Sequence, residues 1–202
     1  MSLRDQVVKQ FVKPTGVAGV LVGYALAFKN RERSEWVASL LDLKPDERVL
    51  EIGFGPGTDI ARASRAAAFV AGVDHSQVML QQASKRNRDA MREGRVELKL
   101  ASAGSLPFDD AQFDWVFAIN SAQFWKDLPK PLAEISRVLK PGGRILLAVQ
   151  PRNKGATEET ARQVAFGLGK ALTAAGFEDV YSEFRPMRPV STAAVLGRRP
   201  QE

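Results

Sequence analysis

The residues of this chain that are best suited to chemistry lie in one short stretch, where an acid is followed by closely spaced glycines. Glu51 ends an apolar run, and Gly53, Gly55 and Gly57 follow at every second position. Glycine lets a bound molecule approach the backbone without a Cβ clash, and it accepts positive φ angles. A strand, a glycine loop and a helix in this order present backbone N–H groups to a ligand. The stretch predicts a ligand-binding loop, and the alternative is a tight turn that binds nothing.

The spacing and the charge of this loop indicate which ligand it would take. The dinucleotide-binding fingerprint is G-x-G-x-x-G, and its helix faces a pyrophosphate. Here the spacing is G-x-G-x-G, and Glu51 stands two residues before the first glycine. A carboxylate is unfavourable beside a phosphate and favourable beside an ammonium group. We therefore expect a ligand that carries an ammonium group.

A second acid ends the next predicted strand. Asp74 follows the apolar run 68–73 and lies 17 residues after Gly57 (74 − 57 = 17). This is close to the ~20-residue offset at which an acid meets ribose hydroxyls in doubly wound folds. Two carboxylate oxygens match a 2′,3′-diol, so we expect Asp74 to bind a ribose. The alternative role is to cap the helix that follows, and both roles could hold at once.

The remaining chain alternates apolar strands with amphipathic helices, as a doubly wound α/β sheet requires. No repeat or linker marks a second domain. After the strand at 49–52, the pattern predicts strands at 68–73, 96–100, 113–119, 144–149, 177–184 and 192–197. Helices are predicted at 35–43, from 58 onward, and at 77–92, 131–139 and 158–175.

Four motifs together resemble the class I S-adenosylmethionine-dependent methyltransferases, above all the small-molecule branch that includes the quinone-biosynthesis enzymes. The likeness extends roughly over residues 48–150. It implies an α/β fold with a Rossmann-like, mostly parallel seven-stranded sheet, helices on both faces and an antiparallel C-terminal strand. It also implies a methyltransferase that uses S-adenosylmethionine and releases S-adenosylhomocysteine. The motifs are Val49–Gly57, Gly72–Leu80, Ser102–Asp114 and Leu132–Gly143.

The resemblance assigns roles around the methionine and ribose portions of this cofactor. Gly53, Gly55 and Gly57 would approach the methionine portion. Glu51 would support the loop and the amino group, and Asp74 would hold the ribose diol.

Four further residues are expected near the adenine and the reacting end. His75 stands where the family usually has an apolar side chain over the adenine, and we interpret it as a packing residue rather than an acid or base. Ser102 replaces the aspartate that the family often has, so the adenine amino group would lose a charge-assisted bond. Ala103 would offer its backbone N–H to the ring, and Asn120 would contact the cofactor.

Fewer residues can be assigned to the binding of the methyl acceptor. Phe124 and Trp125 could wall an acceptor pocket or cover a cation, and the alternative is that both belong to the core. Tyr24 is a further substrate-side candidate. No general base is evident, so we identify no catalytic residue. We expect transfer of a methyl group to O, N or C of a small, apolar acceptor.

Composition excludes several other kinds of site. The 202 residues contain no cysteine and one histidine, which excludes disulfides, cysteine nucleophiles and multi-histidine metal sites. We therefore expect no metal. The net charge is +6, and a basic cluster at 85–95 predicts a solvated helix face, with a nucleic-acid or anionic-membrane surface as the alternative.

The N-terminal part carries an apolar run at 15–28, which is shorter than the ~20 residues of a membrane-spanning helix. It could be a lid over the sheet, a contact with lipid or a greasy substrate, or a dimer surface. We expect an N-terminal helical lid at 1–44 and a catalytic domain at 45–202. The expected protein is cytoplasmic, monomeric or homodimeric, without a nucleic-acid partner or stable membrane insertion.

Two other functions remain open at this point. A nicotinamide-dependent oxidoreductase would need the other glycine spacing and a base on the substrate side. A non-catalytic nucleoside-binding module would keep the fold and the site without methylating anything, and Ser102 leaves room for it.

Overall fold

A computed structural model describes residues 31–125 and 127–201. Tyr24, the apolar run at 15–28 and most of the expected lid lie outside these residues. No helix in the described part of the chain is long and apolar enough to cross a membrane.

The described residues form seven strands and six α-helices, together with a short 3₁₀ turn at Ala122–Phe124. The strands are β1 (Arg48–Ile52), β2 (Phe69–Asp74), β3 (Val96–Leu100), β4 (Phe113–Ile119), β5 (Leu139–Val149), β6 (Glu178–Arg185) and β7 (Thr192–Arg198). The helices are α1 (Arg31–Leu41), α2 (Thr58–Ala63), α3 (Gln77–Arg86), α4 (Arg88–Arg92), α5 (Pro129–Val138) and α6 (Glu158–Ala174).

The strands make one sheet in the order β3-β2-β1-β4-β5-β7-β6. Neighbouring strands from β3 to β5 run parallel, whereas β7 pairs antiparallel with both β5 and β6. The predicted fold class, including the antiparallel C-terminal strand, is therefore confirmed. The strand order reverses between β1 and β4, and ligands of doubly wound sheets bind at such a point.

The central strands are apolar on both faces because helices cover both sides of the sheet. On one face, Leu50 of β1 and Val116 of β4 pack in a core with residues of α5 and α6. On the other face, Val49 and Phe117 pack with residues of α1, α2 and α3. This alternation fixes which side chains of β1 reach each layer, and it places Glu51 on the second face.

The boundaries of two predicted helices are wrong. The helix predicted at 35–43 already includes Arg31, the first described residue, and ends at Leu41, and its most buried side chains include Val37 and Leu41 rather than Trp36. The helix predicted at 77–92 is interrupted at Asn87, which separates α3 from α4. The Asn87 side chain donates hydrogen bonds to the carbonyls of Ala83 and Gly57, so it serves two segments at the break.

Residues 140–143, which lie between the predicted helix at 131–139 and the predicted strand at 144–149, are part of β5. Phe113 pairs with Leu139 and Trp115 pairs with Arg144, so the residues between them form an irregularity within the strand pairing. Gly142 has a φ of 72°, which glycine adopts without strain. The regular part of β5 begins at Arg144, as predicted.

Arg137 of α5 clamps the segment that leads into β4. Its guanidinium donates to the carbonyls of Leu106 and Phe108 and to the carboxylates of Asp110 and Glu134. Glu134 also accepts from the backbone N–H of Leu106 at 2.7 Å. Hydrogen bonding to Arg137 lowers the pKa of Glu134 to about 2 from its ordinary value of 4.5.

The clamp should stabilise the fold in a pH-dependent way. Because the folded pKa of Glu134 is depressed, its contribution is complete above pH 4.5 and is lost as the pH falls towards 2. Glu134→Gln should lower the free energy of unfolding by about 1 kcal/mol at neutral pH, a modest loss for a partly exposed pair. Urea unfolding across this pH range should show that the difference in free energy of unfolding between wild type and Glu134→Gln becomes smaller in acid. Glu159→Gln, which removes the acid of an exposed ion pair with Arg162, is the control. A difference between wild type and Glu134→Gln that does not change with pH would contradict the role given to the Glu134 carboxylate.

Candidate functional site

The parallel strands bring most of the predicted site residues to one edge of the sheet. Glu51 lies near the end of β1, Asp74 ends β2, and Asn120 follows β4. Ala101 donates its backbone N–H to the carbonyl of Asp74 at 3.0 Å, so the segment with Ser102 lies beside them.

The three predicted glycines all have positive φ angles, of 81° at Gly53, 52° at Gly55 and 75° at Gly57. A Cβ on Gly53 would lie 2.3 Å from Ser121 Oγ, and one on Gly57 would lie 2.6 Å from Ala83 Cβ. A Cβ on Gly55 would meet nothing within 4 Å. Close packing therefore accounts for the outer two glycines, whereas the middle one faces open space that a ligand could fill.

The loop is held from behind by the end of α3. Arg86 donates its Nε–H to the carbonyl of Pro56 at 2.9 Å, and Asn87 donates to the carbonyl of Gly57 at 3.0 Å. The basic pattern at 85–95 predicts a solvated helix face for Arg86 and gives no sign of this contact. No local pattern signals it, because the two partners are 30 residues apart.

Glu51 is almost fully buried, and its Oε2 atom has no hydrogen-bond partner in the described part of the chain. Burial raises the pKa of Glu51 well above 4.5, and the charges of Asp59 and Asp74 raise it further. The backbone N–H of Ile60 opposes this shift. A buried acid with an unpaired oxygen is costly by itself, and a bound cation would compensate it.

Asp59 of α2 is a second buried acid, which the sequence analysis did not identify. Its Oδ2 accepts a hydrogen bond from Ser34 of α1 at 3.1 Å, and its Oδ1 has no partner among the described residues. Burial raises its pKa, which Ser34, Arg62 and Arg33 partly offset. An acid in the first turn of a helix is common for dipole reasons alone, so the pattern gave no signal of this site.

Asp74 anchors the glycine loop to β2. Its two oxygens accept hydrogen bonds from the backbone N–H groups of Gly55, at 2.9 Å, and Ser76, at 2.8 Å. Burial raises the pKa of Asp74, and these bonds oppose the shift. The N-cap of α3 is Ser76, which accepts from the N–H of Met79. The alternative that Asp74 caps the helix is therefore wrong.

Three predicted site residues are close to Asp74 along the chain or through backbone pairing. His75 follows Asp74 directly, and Ser102 and Ala103 follow Ala101, whose N–H bonds to the Asp74 carbonyl. The His75 side chain is 52% exposed, with Nδ1 at 3.8 Å from Asp74 Oδ1, so it is not part of the apolar core. Ser102 is exposed and accepts a backbone hydrogen bond from Ser105, while Ala103 is half-buried. His75 and Ser102 are thus exposed, whereas Ala103 packs against the core.

Two side-chain hydrogen bonds hold the segment that follows β4. Asn120, at a φ of 51°, accepts a hydrogen bond from the N–H of Gln150 at 2.8 Å. Trp125 donates its indole N–H to Ser121 Oγ at 3.3 Å and packs against the core. Phe124 is 48% exposed. The two predicted aromatics thus differ, since Trp125 is partly core and Phe124 faces solvent.

An apolar cleft of about 70 Å³ lies between α1 and α2. Val37, Phe117 and Ile119 line its apolar part, and Ser34 and Asp59 lie at its polar end. Ile119 precedes Asn120, so the cleft adjoins the edge where the other site residues meet.

Comparison with known proteins gives one family. Residues 50–147 match the family model described as a methyltransferase domain. A methyltransferase of Bacillus subtilis, itself uncharacterised, is 28% identical over 183 residues, which cover 90% of this chain and 99% of that protein. The 27-O-demethylrifamycin SV methyltransferase of Amycolatopsis mediterranei is 33% identical over 65% of this chain, which spans about half (51%) of that protein.

Solved structures show the same fold. A SAM-dependent methyltransferase from Aquifex aeolicus superimposes with a TM-score of 0.68, over 82% of this chain and 89% of that one. The two sequences are 21% identical.

Alanine substitution should separate the packed glycine from the open one. Both Gly53→Ala and Gly55→Ala place a residue with a Cβ at positive φ, which should lower the free energy of unfolding by about 1–2 kcal/mol. Gly53→Ala should lose a further ~1–3 kcal/mol in chemical denaturation, because its Cβ overlaps Ser121. Adding Ser121→Gly should recover that second loss, and equal losses in the two single variants would contradict the packing described.

The pH dependence of stability should report the burial of Glu51. The folded protein binds this proton more tightly than the unfolded chain does, so the associated stability is lost as the pH rises through the folded pKa. Glu51→Gln cannot titrate. The ligand-free wild-type protein should therefore lose stability relative to Glu51→Gln as the pH rises above 4.5, the ordinary pKa of this carboxyl group. The exposed Glu178→Gln should show no such divergence, and parallel curves for Glu51→Gln would be the contrary result.

Proposed function

The chain belongs to the class I S-adenosylmethionine-dependent methyltransferases, and from this premise we propose that it binds S-adenosylmethionine at the carboxyl ends of β1 and β2 and methylates O, N or C of a small, apolar acceptor. The observation that carries this proposal is the unpaired, buried oxygen of Glu51 beside a loop whose middle glycine faces open space. The cofactor carries an α-ammonium group, and its methionine portion matches both features.

Other residues at this edge of the sheet fit the remaining portions of the cofactor. Asp74 is placed to accept hydrogen bonds from the ribose diol, because it is fixed by the backbone of Gly55 and Ser76. We assign His75, Ser102 and Ala103 to the adenine. Ser102 offers only a neutral hydroxyl to the adenine amino group, so this bond should be weaker than one to a carboxylate.

S-adenosylmethionine supplies a methyl group that its sulfonium already activates. The chain then has to position the acceptor and exclude water, which can lower the barrier by several kcal/mol. We assign Asn120 to the reacting end, since its backbone is fixed by Ala148 and its side chain by Gln150.

The acceptor is proposed from the side chains beside Asn120. Phe124 presents an exposed ring, Trp125 is fixed by Ser121, and the cleft between α1 and α2 is mostly apolar. One relative is named as a methyltransferase of 27-O-demethylrifamycin SV, which supports a small-molecule acceptor. Residues 120–125 and 150–152 contain no carboxylate or imidazole. We therefore propose an acceptor that is nucleophilic without help from a base in these segments.

Thermal unfolding with added ligands tests the cofactor. S-adenosylmethionine and S-adenosylhomocysteine, at ~100 times their dissociation constants, should each stabilise the protein by about 2.7 kcal/mol, whereas NADH should not. Gly55→Ala should stay folded and lose this stabilisation, because its Cβ occupies the open face of the loop. Stabilisation by NADH alone would overturn the proposal.

A panel of small aromatic, amine and thiol acceptors then tests the reaction. Release of S-adenosylhomocysteine should depend on the acceptor and should be abolished in Gly55→Ala. Cofactor binding without turnover on any acceptor would favour the non-catalytic binding module.

A further inference from the structure

A second, larger cleft lies behind the glycine loop, near the C-terminal ends of α2 and α3. Its volume is about 170 Å³, and it is open to solvent. Three arginines, Arg65, Arg86 and Arg95, line it together with one acid, Asp89. The methyl-transfer site does not use this cleft.

The arginines of the cleft are only partly engaged. Arg95 is paired with Glu93 and donates to the carbonyl of Ser64. The Arg86 side chain donates only its Nε–H, to Pro56, and the Arg65 side chain makes no hydrogen bond or ion pair with the part of the chain that the structure describes. The Nη groups of Arg86 and the whole guanidinium of Arg65 therefore have no acidic partner among these residues.

The nearby acids do not neutralise this charge. Asp89 lies 3.5 Å from Arg88 Nε and 3.8 Å from Arg92 Nη1. Glu93 is taken by Arg95 at 2.5 Å. The cleft consequently keeps a positive surplus, carried mainly by Arg65 and Arg86.

Helix capping explains part of this arrangement. Cations favour the C-terminal ends of helices, and Arg95 meets the carbonyl of Ser64 just after α2. Capping does not explain the side chain of Arg65, which donates to no described carbonyl and yet lines the cleft.

The size of the cleft limits the ligand. A water molecule takes about 30 Å³, so the cleft has room for a phosphate group and a few waters. It is smaller than the ~300 Å³ at which pockets for drug-sized ligands begin. No aromatic ring lines it, so it lacks the stacking surface of single-strand nucleic-acid sites.

We propose that this cleft is an anion site that binds a phosphate group, either inorganic phosphate or the terminal group of a small phosphomonoester. Guanidinium groups match phosphate because they donate two parallel N–H bonds to its oxygens. Arg65, just after α2, and Arg86, at the end of α3, would supply these bonds, and Arg95 would contribute the remaining positive potential.

The test is a titration of the full chain with inorganic phosphate and with methyl phosphate, followed by backbone amide NMR. Ionic strength is held constant with chloride, and saturating S-adenosylhomocysteine blocks the glycine loop. Both anions should give saturable shifts at residues 64–65 and 86–90. No saturable shift there with either anion would overturn the proposal.

Two variants separate a site from general charge. Arg65→Ala and Arg88→Ala each remove one exposed positive charge, but Arg88 does not line the cleft. Arg65→Ala should weaken phosphate binding about tenfold, as expected for loss of a charge-assisted contact, and Arg88→Ala by less than about twofold. Equal weakening in both would overturn the proposal, since it would indicate long-range attraction only.

The affinity for S-adenosylhomocysteine and the thermal stability of each variant show whether it keeps the fold and the proposed cofactor site. Neither residue belongs to the proposed cofactor site, so both values should match wild type. A single-stranded oligonucleotide that binds more tightly than phosphate, and that both variants weaken alike, would identify a nucleic-acid surface instead. These readouts do not depend on methyl transfer, so their failure is distinguishable from failure of the proposed function.

Discussion

Parallel pairing of β1 with β2 and β4 is the constraint on which the site depends. It forces the ends of three strands, far apart in sequence, to one edge of the sheet. Helix layers on both faces make this arrangement stable, because parallel strands need apolar cover on each side. Once the strands are aligned, the acids that follow or end them must meet. The chemistry of the edge is thus a consequence of strand direction, and the loops only refine it.

The acids at this edge are held in a costly state. Glu51 and Asp59 are removed from water, and each keeps an oxygen without a partner in the described structure. A domain is stable by only about 5–15 kcal/mol, so unpaired buried groups consume a sizeable part of the margin. Such groups are retained where a ligand compensates them. This is why the burial of Glu51, rather than the glycine pattern alone, gives the strongest physical reason to expect a cation there.

The fold could be predicted well from sequence, because buried parallel strands and their intervening helices leave strong apolar patterns. Strands β3 and β4 have the predicted bounds. The break at Asn87 could not be predicted, since it depends on a bond to Gly57, 30 residues away. Asp59 and Arg86 were missed for the same reason. Each looks like an ordinary helix residue until the tertiary structure places Ser34 or Pro56 beside it. Long-range partners, not local propensity, define that part of the site.

The contact between Gly53 and Ser121 joins the two halves of the site. A Cβ on Gly53 would occupy the place of the Ser121 hydroxyl, which also holds the indole of Trp125. The glycine loop and the segment after β4 therefore share one small volume. Divergence to a new acceptor through position 121 would have to keep a small side chain there or accept a shifted glycine loop. Changes at positions 53 and 121 are consequently coupled. The segment after β4 is free to vary mainly beyond them, at Phe124.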